Sequence, residues 1–255
     1  MADNSFTEDA ILGGALTLRQ PKRGHRVGHD AILLAAATPA RASEHAVELG
    51  AGVGAAGLAL AHRVAGLRVT LVEIDSELAA LAAHNIESNH LAERMRAITL
   101  DVAAPARAFT AAGLVPGAAQ RVLMNPPFND PARQNVSPDA RRRVAHAAPR
   151  ETLAQWVRRA NSLLAPSGTL TLIWRADGLD EVLAALGDGF GGIAVLPVHA
   201  RAGAPAIRVL VQARKGSRAP LALLSGLNLN DEAGRPAAKA EAVLRGAEAL
   251  PLTSD

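Results

Sequence analysis

Asn125-Pro126-Pro127-Phe128 follows directly on the apolar run Arg121-Val122-Leu123-Met124. These residue types make sense together as a holder for a planar nitrogen. An aromatic exocyclic amine or an amide is a poor nucleophile, because its lone pair is delocalised. Two acceptors that hold its two N–H bonds let the nitrogen pyramidalise and aim the lone pair at a methyl group. Asn125 supplies a side-chain oxygen and Pro126 a backbone carbonyl. Pro126 and Pro127 fix φ and carry no N–H, so the turn is stiff and the carbonyl direction is set. Phe128 offers a flat face on which a base can stack. Catalysis here would be positioning and electrostatics, with no covalent intermediate. A proline pair after a buried strand breaks the sheet ladder, which a purely structural turn gives no reason for. The motif specifies methyl transfer to a planar nitrogen and leaves the substrate open.

A second constellation lies upstream. Glu48-Leu49-Gly50-Ala51-Gly52-Val53-Gly54-Ala55-Ala56-Gly57 joins an apolar run to a helical pattern. Glycines permit a tight turn and close approach of a ligand, and the helix that follows offers free N–H groups. Glu73 stands nineteen residues after Gly54, where a carboxylate can accept both ribose hydroxyls of an adenosine. Gly52, Gly54 and Gly57 also satisfy the dinucleotide fingerprint. Glu48 argues for S-adenosylmethionine: it can order the turn and face the donor's ammonium group, whereas it would repel a pyrophosphate. The Asn-Pro-Pro-Phe turn argues the same way, since a dehydrogenase has no use for it. Asp101 has two readings, an acceptor for the donor's adenine amine or a cap on its own turn.

These residues need a frame. Short apolar runs occur at His45 to Leu49, Arg68 to Ile74, Met95 to Leu100, Arg121 to Met124, Thr169 to Trp174, Ile193 to Val198 and Ile207 to Ala213. Helical periodicity lies between the first five, as in Leu58-Leu60-Ala61-Val64, Leu78-Leu81-Ala82-Ile86 (with Asp75 and Ser76 as N-caps) and Leu153-Trp156-Val157-Ala160-Leu164. Alternating β and α units predict a parallel sheet covered on both faces. The last two runs are joined by a short loop, which predicts an antiparallel hairpin at the sheet's edge. That order is the α/β, doubly wound, Rossmann-like fold of class I methyltransferases, mostly parallel with a C-terminal antiparallel hairpin. Pro131 to Arg150 reads as a mobile, Arg-rich loop, and Pro236 to Leu250 as a helix. The division expected is an N-terminal segment (1–44) closing the donor pocket, a methyltransferase domain (45–218) and a C-terminal extension (219–255).

Composition narrows the class. The 255 residues contain no cysteine, which excludes disulfides and thiolate-bound zinc or iron–sulfur centres. The eight histidines show no zinc spacing, so no metal is expected. The polar start is unlike a signal peptide and no apolar run is long enough to span a bilayer, so the expectation is a cytoplasmic protein. Net charge is +3, carried mostly by arginine. That bias fits genome composition, and equally fits recognition of phosphate. Basic residues cluster at Gln20 to Arg26, at Arg141-Arg142-Arg143 with His146 and Arg150, and at Arg214-Lys215 with Arg218. They read either as three patches flanking one cleft for an RNA backbone or as solvated loops. Trp156 is expected in the core on its helix.

With these motifs in hand, the chain resembles the valine-tRNA adenine-N6 methyltransferases, within a group known for its methyltransferase small domain. The resemblance runs from about Thr7 to Arg218. It takes in Leu12-Gly13-Gly14, Gln20 to Arg26, Val27-Gly28-His29-Asp30-Ala31-Ile32-Leu33-Leu34, the glycine turn, Val72-Glu73, Asn125 to Phe128 and Lys215 to Arg218. It implies S-adenosylmethionine bound by Gly28, Asp30, Glu48, Gly50, Gly52, Gly54, Glu73 and Asp101. It implies a target held by Asn125, Pro126, Pro127 and Phe128. It also implies tRNA as partner, contacted by Lys22, Arg23, Arg26, Arg141, Arg142, Arg143, Lys215 and Arg218. Two positions depart from the pattern: His29 where threonine is frequent, and Phe128 where tyrosine is frequent. Enzymes of ribosomal-RNA guanine N2 carry the same phenylalanine, and protein glutamine N5-methyltransferases share the Asn-Pro-Pro core. A non-catalytic RNA-binding protein of the same fold is the remaining alternative.

Overall fold

The computed structural model describes residues 5–22, 26–127 and 138–252, with 138–150 as backbone only. The chain opens with an antiparallel hairpin, β1 (Phe6–Ile11) and β2 (Leu16–Pro21), and then α1 (His29–Ala37). Alternating units follow: β3 (His45–Leu49), α2 (Ala55–Arg63), β4 (Arg68–Glu73), α3 (Ser76–Ser88), β5 (Met95–Thr99), α4 (Ala106–Ala111), β6 (Ala119–Met124), α5 (Pro138–Leu163) and β7 (Leu164–Arg175). After α6 (Leu179–Leu186) come β8 (Phe190–His199) and β9 (Ala206–Lys215), the short β10 (Ala222–Leu223) and β11 (Leu227–Asn228), and α7 (Ala238–Gly246).

Among the described residues the main sheet has nine strands in the order β10-β8-β9-β7-β6-β3-β4-β5, with β11 also on β8. The run β7-β6-β3-β4-β5 is parallel, and β9 is antiparallel to both β7 and β8. This is the doubly wound class I methyltransferase architecture expected from the sequence. The central strands are apolar on both faces because helices cover both. Ala46, Leu71 and Leu123 face α1, α2, α7 and the N-terminal hairpin; Val47, Val122 and Leu170 face α4, α5 and α6. With so few aromatics, close packing comes from alanine and glycine on the helices. A Cβ on Gly57 of α2 would lie 2.4 Å from Leu71 Cδ2, so α2 reaches β4 only because residue 57 has no side chain.

Three features differ from expectation. The β8–β9 hairpin is not the edge: β10 and β11 pair in parallel with β8 beyond it. Runs of two residues carry too little periodicity to be read. Part of the expected loop Pro131 to Arg150 is helix, since α5 begins at Pro138. Proline at a first helical position loses no bond, and arginine and alanine favour helix. Residues 131–137 lie outside the described residues. Last, the polar N-terminus forms β1–β2, whose strand character is carried by the inward Leu16 and Leu18, both buried.

Asn85 on α3 and Asn89, the C-cap one turn further on, dock that hairpin. Asn89 exchanges hydrogen bonds with both backbone groups of Thr17, at 3.0 and 2.8 Å. Asn85 does the same with Arg19, at 2.7 and 3.0 Å, and donates also to Val53 O at 3.0 Å. Helical i,i+4 spacing is about 6 Å and strand i,i+2 spacing about 7 Å. The two side-chain amides therefore extend the β2 ladder as a neighbouring strand would. At the other end of the chain, α7 packs on α1, and Leu250 N–H donates to Ala36 O at 2.8 Å.

Candidate functional site

The strand register decides where the motifs meet. Leu49 pairs with Val72 on one side and with Met124 on the other. Gly50, Glu73 and Asn125 thus emerge at one edge, where the parallel strands end. The chain runs from β3 to β4 and β5 in one direction and to β6 and β7 in the other. The crevice between β3 and β6 is therefore a topological switch point, where open α/β sheets bind ligands.

The glycine turn is built by backbone geometry and two carboxylates. Gly50, Gly52 and Gly54 have φ of +69°, +55° and +89°, a region in which other L-residues are strained. Gly50 N–H and Ala51 N–H donate to Val72 O at 2.8 and 3.0 Å. Gly52 N–H donates to Glu73 Oε2 at 2.7 Å, and Asp75 N–H to Glu73 Oε1 at 3.0 Å. Asp75 in turn caps α3 by accepting from Glu77 and Leu78 N–H.

Glu48 is 4 % exposed, and its Oε2 accepts from Gly57 N–H at 2.7 Å. Burial pushes its carboxyl up to about 8; the Gly57 hydrogen bond opposes that shift and the nearby negative charge of Glu73 adds to it. A cation brought beside Glu48 would favour its ionised form.

The glycines divide into two sets. A Cβ on Gly54 would lie 2.8 Å from Leu71 Cδ1, and one on Gly50 2.3 Å from Trp156 Cη2. Among the described residues, nothing lies within 4 Å of a Cβ placed on Gly28 or Gly52. The first pair leaves room for the protein, and the second leaves the backbone open to close approach. Ile74, next to Glu73, is 64 % exposed. A large aliphatic residue held in water beside a predicted ribose-binding carboxylate can form an apolar floor for a base.

Asn125 is half-buried, Pro126 buried and Pro127 exposed. The Asn125 Oδ1 atom is buried and has no hydrogen-bond partner among the described residues. A buried acceptor left unmade costs about 1–3 kcal/mol, so it invites a donor from a ligand. Phe128 lies outside the described residues.

The remaining expected positions are distributed as follows. Gly28 caps α1, and Asp30 in its first turn accepts from Arg208 Nε at 2.9 Å. Arg208 pairs with Arg175 at the end of β7, which brings Asp30 to the same edge as Asn125. Buried Gln20 ties the hairpin to this corner, accepting from Val27 N–H at 2.9 Å and donating to Asp9 at 2.9 Å. Asp101 is exposed and its Oδ1 caps Ala103 N–H at 2.8 Å, so it holds its own turn. The carbonyls that follow, of Val102 and Ala104, accept from Arg159 of α5.

The basic clusters do not all flank the cleft. Lys22 follows β2, its backbone N–H donating to Ser5 O at 2.9 Å, and Arg26, two residues before Gly28, is paired with Asp9 at 2.8 Å. Arg23 and the side chains of Arg141, Arg142, Arg143, His146 and Arg150 lie outside the described residues. Lys215 and Arg218 are displaced. Met124 is level with Leu172 and hence with Val211, while Arg214 pairs with Thr169, level with Arg121 where β6 begins. At about 3.3 Å per residue, β9 carries Arg214 roughly 10 Å from the Met124 level, toward the opposite edge. Lys215 is already engaged there, donating to Asn161 O and Leu164 O at 2.6 and 2.7 Å.

Trp156 was expected in the core; it is half-buried, packs against the core on the α4–α6 side of the sheet, and its ring edge also lies against Gly50. Arg208, Arg159, Asn85 and Ile74 were not singled out either. Only Ile74 had a local signal, an aliphatic residue just past the carboxylate. Among the described residues no helix is long and apolar enough to cross a membrane, and no group of three or more His, Asp or Glu could hold a metal ion.

The methyltransferase small domain family model matches residues 25–198. A tRNA1(Val) (adenine(37)-N6)-methyltransferase of Tolumonas auensis is 28% identical over 166 residues, 65% of each chain. The Aeromonas hydrophila enzyme of the same name is 31% identical over 193 residues, 75% of this chain and 77% of its own. A release factor glutamine methyltransferase of Chlorobaculum tepidum is 30% identical over 156 residues, 59% of this chain and 52% of its own. The crystal structure of a predicted O-methyltransferase from Agrobacterium tumefaciens superposes with a TM-score of 0.74 at 30% identity, covering 88% of this chain and all of that one. The glycine turn, the carboxylate at the end of β4 and the Asn-Pro-Pro turn after β6 thus sit on one edge of a fold shared with known methyltransferases, and the chain belongs to the methyltransferase small domain family, as an enzyme that takes its methyl group from S-adenosylmethionine.

Proposed function

We propose that this enzyme methylates the exocyclic N6 of an adenine in a structured tRNA. The observation that carries the reading is the buried, unpartnered Oδ1 of Asn125 at the switch point, one strand from the glycine turn. S-adenosylmethionine supplies an electrophilic methyl on a sulfonium. Glu73 would hold the ribose hydroxyls, with Ile74 against the adenine. The open faces of Gly28 and Gly52 would admit the methionine end, Glu48 would balance its ammonium, and Asp30 would line the same corner. Asp101 would take the adenine amine with the oxygen its turn leaves over.

At the target, Asn125 Oδ1 and the Pro126 carbonyl would accept the two N–H bonds of the amine, and Phe128 would stack on the base. The lone pair then points at the methyl group. As the nitrogen bonds to the methyl carbon, that carbon's bond to sulfur would break and S-adenosylhomocysteine leave; the methylated nitrogen, now strongly acidic, would lose its proton to water without a side-chain base. The preference for adenine in tRNA rests on the likeness to the relatives of that name. Lys22, Arg23, Arg26 and Arg141 to Arg143 are the proposed phosphate contacts, without Lys215 and Arg218. Cytoplasmic location follows as part of the same proposal.

An amide could occupy the same acceptors, and the likeness to a release factor glutamine methyltransferase makes protein glutamine the second reading. Methyl-labelled donor incubated with total tRNA and with release factor separates them. Label in N6-methyladenosine after tRNA digestion is expected. Label on the protein alone overturns the tRNA reading, and label in N2-methylguanosine moves the target to the other base.

A further inference from the structure

The contact between α5 and the glycine turn is not part of the roles above. Gly50 is the first residue past β3, and Trp156 Cη2 and Cζ3 occupy the space its side chain would take, at 2.3 and 2.8 Å from an ideal Cβ. One turn further along α5, Arg159 donates from Nε to Val102 O at 3.2 Å and from a terminal nitrogen to Ala104 O, in the loop after Asp101. Arg159 also lies over the Phe109 ring, 4.1 Å from its centroid. One helix face therefore braces two donor-side loops, after β3 and after β5. The far end of the helix is pinned as well, since Lys215 binds the carbonyls of Asn161 and Leu164. The indole is half-buried and packs against the core behind α5, so its position beside Gly50 is fixed from the protein side.

We propose that Trp156 is a positioning residue for the donor: its indole forms the wall behind Gly50 and fixes the turn in the conformation that accepts S-adenosylmethionine. The proposal rests on the donor reading of the glycine turn. The mechanism is steric. Gly50 at φ +69° has no side chain to hold it, and the turn keeps its shape because the indole fills the space beside it. A smaller side chain at 156 leaves a void there, and the Gly50 and Ala51 N–H groups, now bonded to Val72 O, gain freedom.

The test uses the full chain with S-adenosylmethionine and S-adenosylhomocysteine as probes. The chain has only two tryptophans, Trp156 and the fully buried Trp174. Donor binding is expected to shift or quench tryptophan emission in the wild type, and Trp156→Phe is expected to lose that response. Trp156→Phe, which keeps a ring, is expected to hold donor affinity within about three-fold. Trp156→Ala is expected to weaken it by about ten-fold, equivalent to about 1.4 kcal/mol, with the KM for RNA unchanged. If Trp156→Ala fails to fold, the wild-type emission and the phenylalanine variant still decide. Calorimetric donor binding with unmoved emission, or an alanine variant of wild-type affinity, overturns the role of Trp156 alone. Absence of any calorimetric donor binding by the wild type overturns the donor reading beneath it.

Discussion

Gly52 N–H and Glu73 Oε2 are joined by a 2.7 Å hydrogen bond that ties the turn after β3 to the end of β4. The other oxygen of Glu73 accepts from Asp75, the cap of α3. One carboxylate thus organises the turn, the helix cap and the place where a ribose would lie. It is held in position before any ligand arrives, which lowers the ordering that binding must impose.

Removing that carboxylate should act on the donor first. Glu73→Ala is expected to weaken S-adenosylmethionine binding by at least ten-fold, since a hydrogen bond to a charged group contributes about 1.5–3 kcal/mol. Glu73→Gln should lie between the alanine variant and wild type. Calorimetric titration of the three proteins checks the order, and an alanine variant that binds normally would show that the ribose is held elsewhere.

Asn125 should behave in the opposite way. Asn125→Ala is expected to reduce turnover about 100-fold or more, as loss of one positioned catalytic dipole does elsewhere, while donor affinity stays within about two-fold. The substitution also removes an unpartnered buried oxygen, so the ligand-free protein should be no less stable. Single-turnover methylation with a parallel thermal melt measures both. Unchanged turnover would falsify the role given to the Asn-Pro-Pro turn.

Glu48 makes the protein sensitive to pH. Its carboxyl is raised from 4.5 to about 8 by burial. Below about 4.5 the side chain is protonated in the folded and unfolded chain alike. Between there and about 8 the unfolded chain releases the proton and the folded chain keeps it, so stability drains as pH rises through that window and levels off above it. Glu48→Gln should flatten this part of the stability profile in denaturant titrations. A donor ammonium beside Glu48 favours the carboxylate, so binding near neutral pH should release a proton. Calorimetry in buffers of different ionisation enthalpy would detect it, and a buffer-independent enthalpy would remove the ammonium from this position.

Asn85 is predicted to matter for stability out of proportion to its surroundings. It is buried, and its amide serves Arg19 N–H, Arg19 O and Val53 O. Asn85→Ala leaves those backbone groups without partners and is expected to cost about 2–4 kcal/mol. Asn89→Ala, at the exposed end of the same ladder, should cost under about 1 kcal/mol by the same reasoning. Urea unfolding of both variants checks the ratio; equal losses would mean that the hairpin is not docked through this amide.

The two edges of the sheet should respond differently to charge reversal. Arg26→Glu is expected to raise the KM for tRNA and to lower the salt dependence of binding, by about one counterion per lost phosphate contact. Arg218→Glu, on the opposite edge, should change neither. Filter binding across a salt series makes the comparison, and a strong effect of Arg218 alone would place the RNA on the wrong edge for Asn125.

Much of this was legible in the sequence because it is local. The order of β and α units, the glycine turn and the Asn-Pro-Pro turn are set by periodicity and by residues whose backbone preferences leave few choices. Asp75 as cap of α3 was readable for the same reason. The first half of α5 was not: its prolines and arginines look like a loop, and one at the first helical position costs nothing. The hairpin β1–β2 was hidden because it is held by asparagines about seventy residues away in the chain, a pairing with no local signature.

The sequence by itself determined the kind of enzyme, a methyltransferase that uses S-adenosylmethionine, and it located the glycine turn, the carboxylate beyond it and the Asn-Pro-Pro turn. Only the tertiary structure decided which charges and rings can reach that chemistry. Lys215 looks like a neighbour of the site along the chain, but antiparallel β9 carries it to the opposite edge. Trp156 looks like core on its helix and does pack there, but only the docking of α5 sets its ring edge against Gly50 as well. Strand direction and the docking of helices act over tens of residues, and neither is written in the spacing of any one segment.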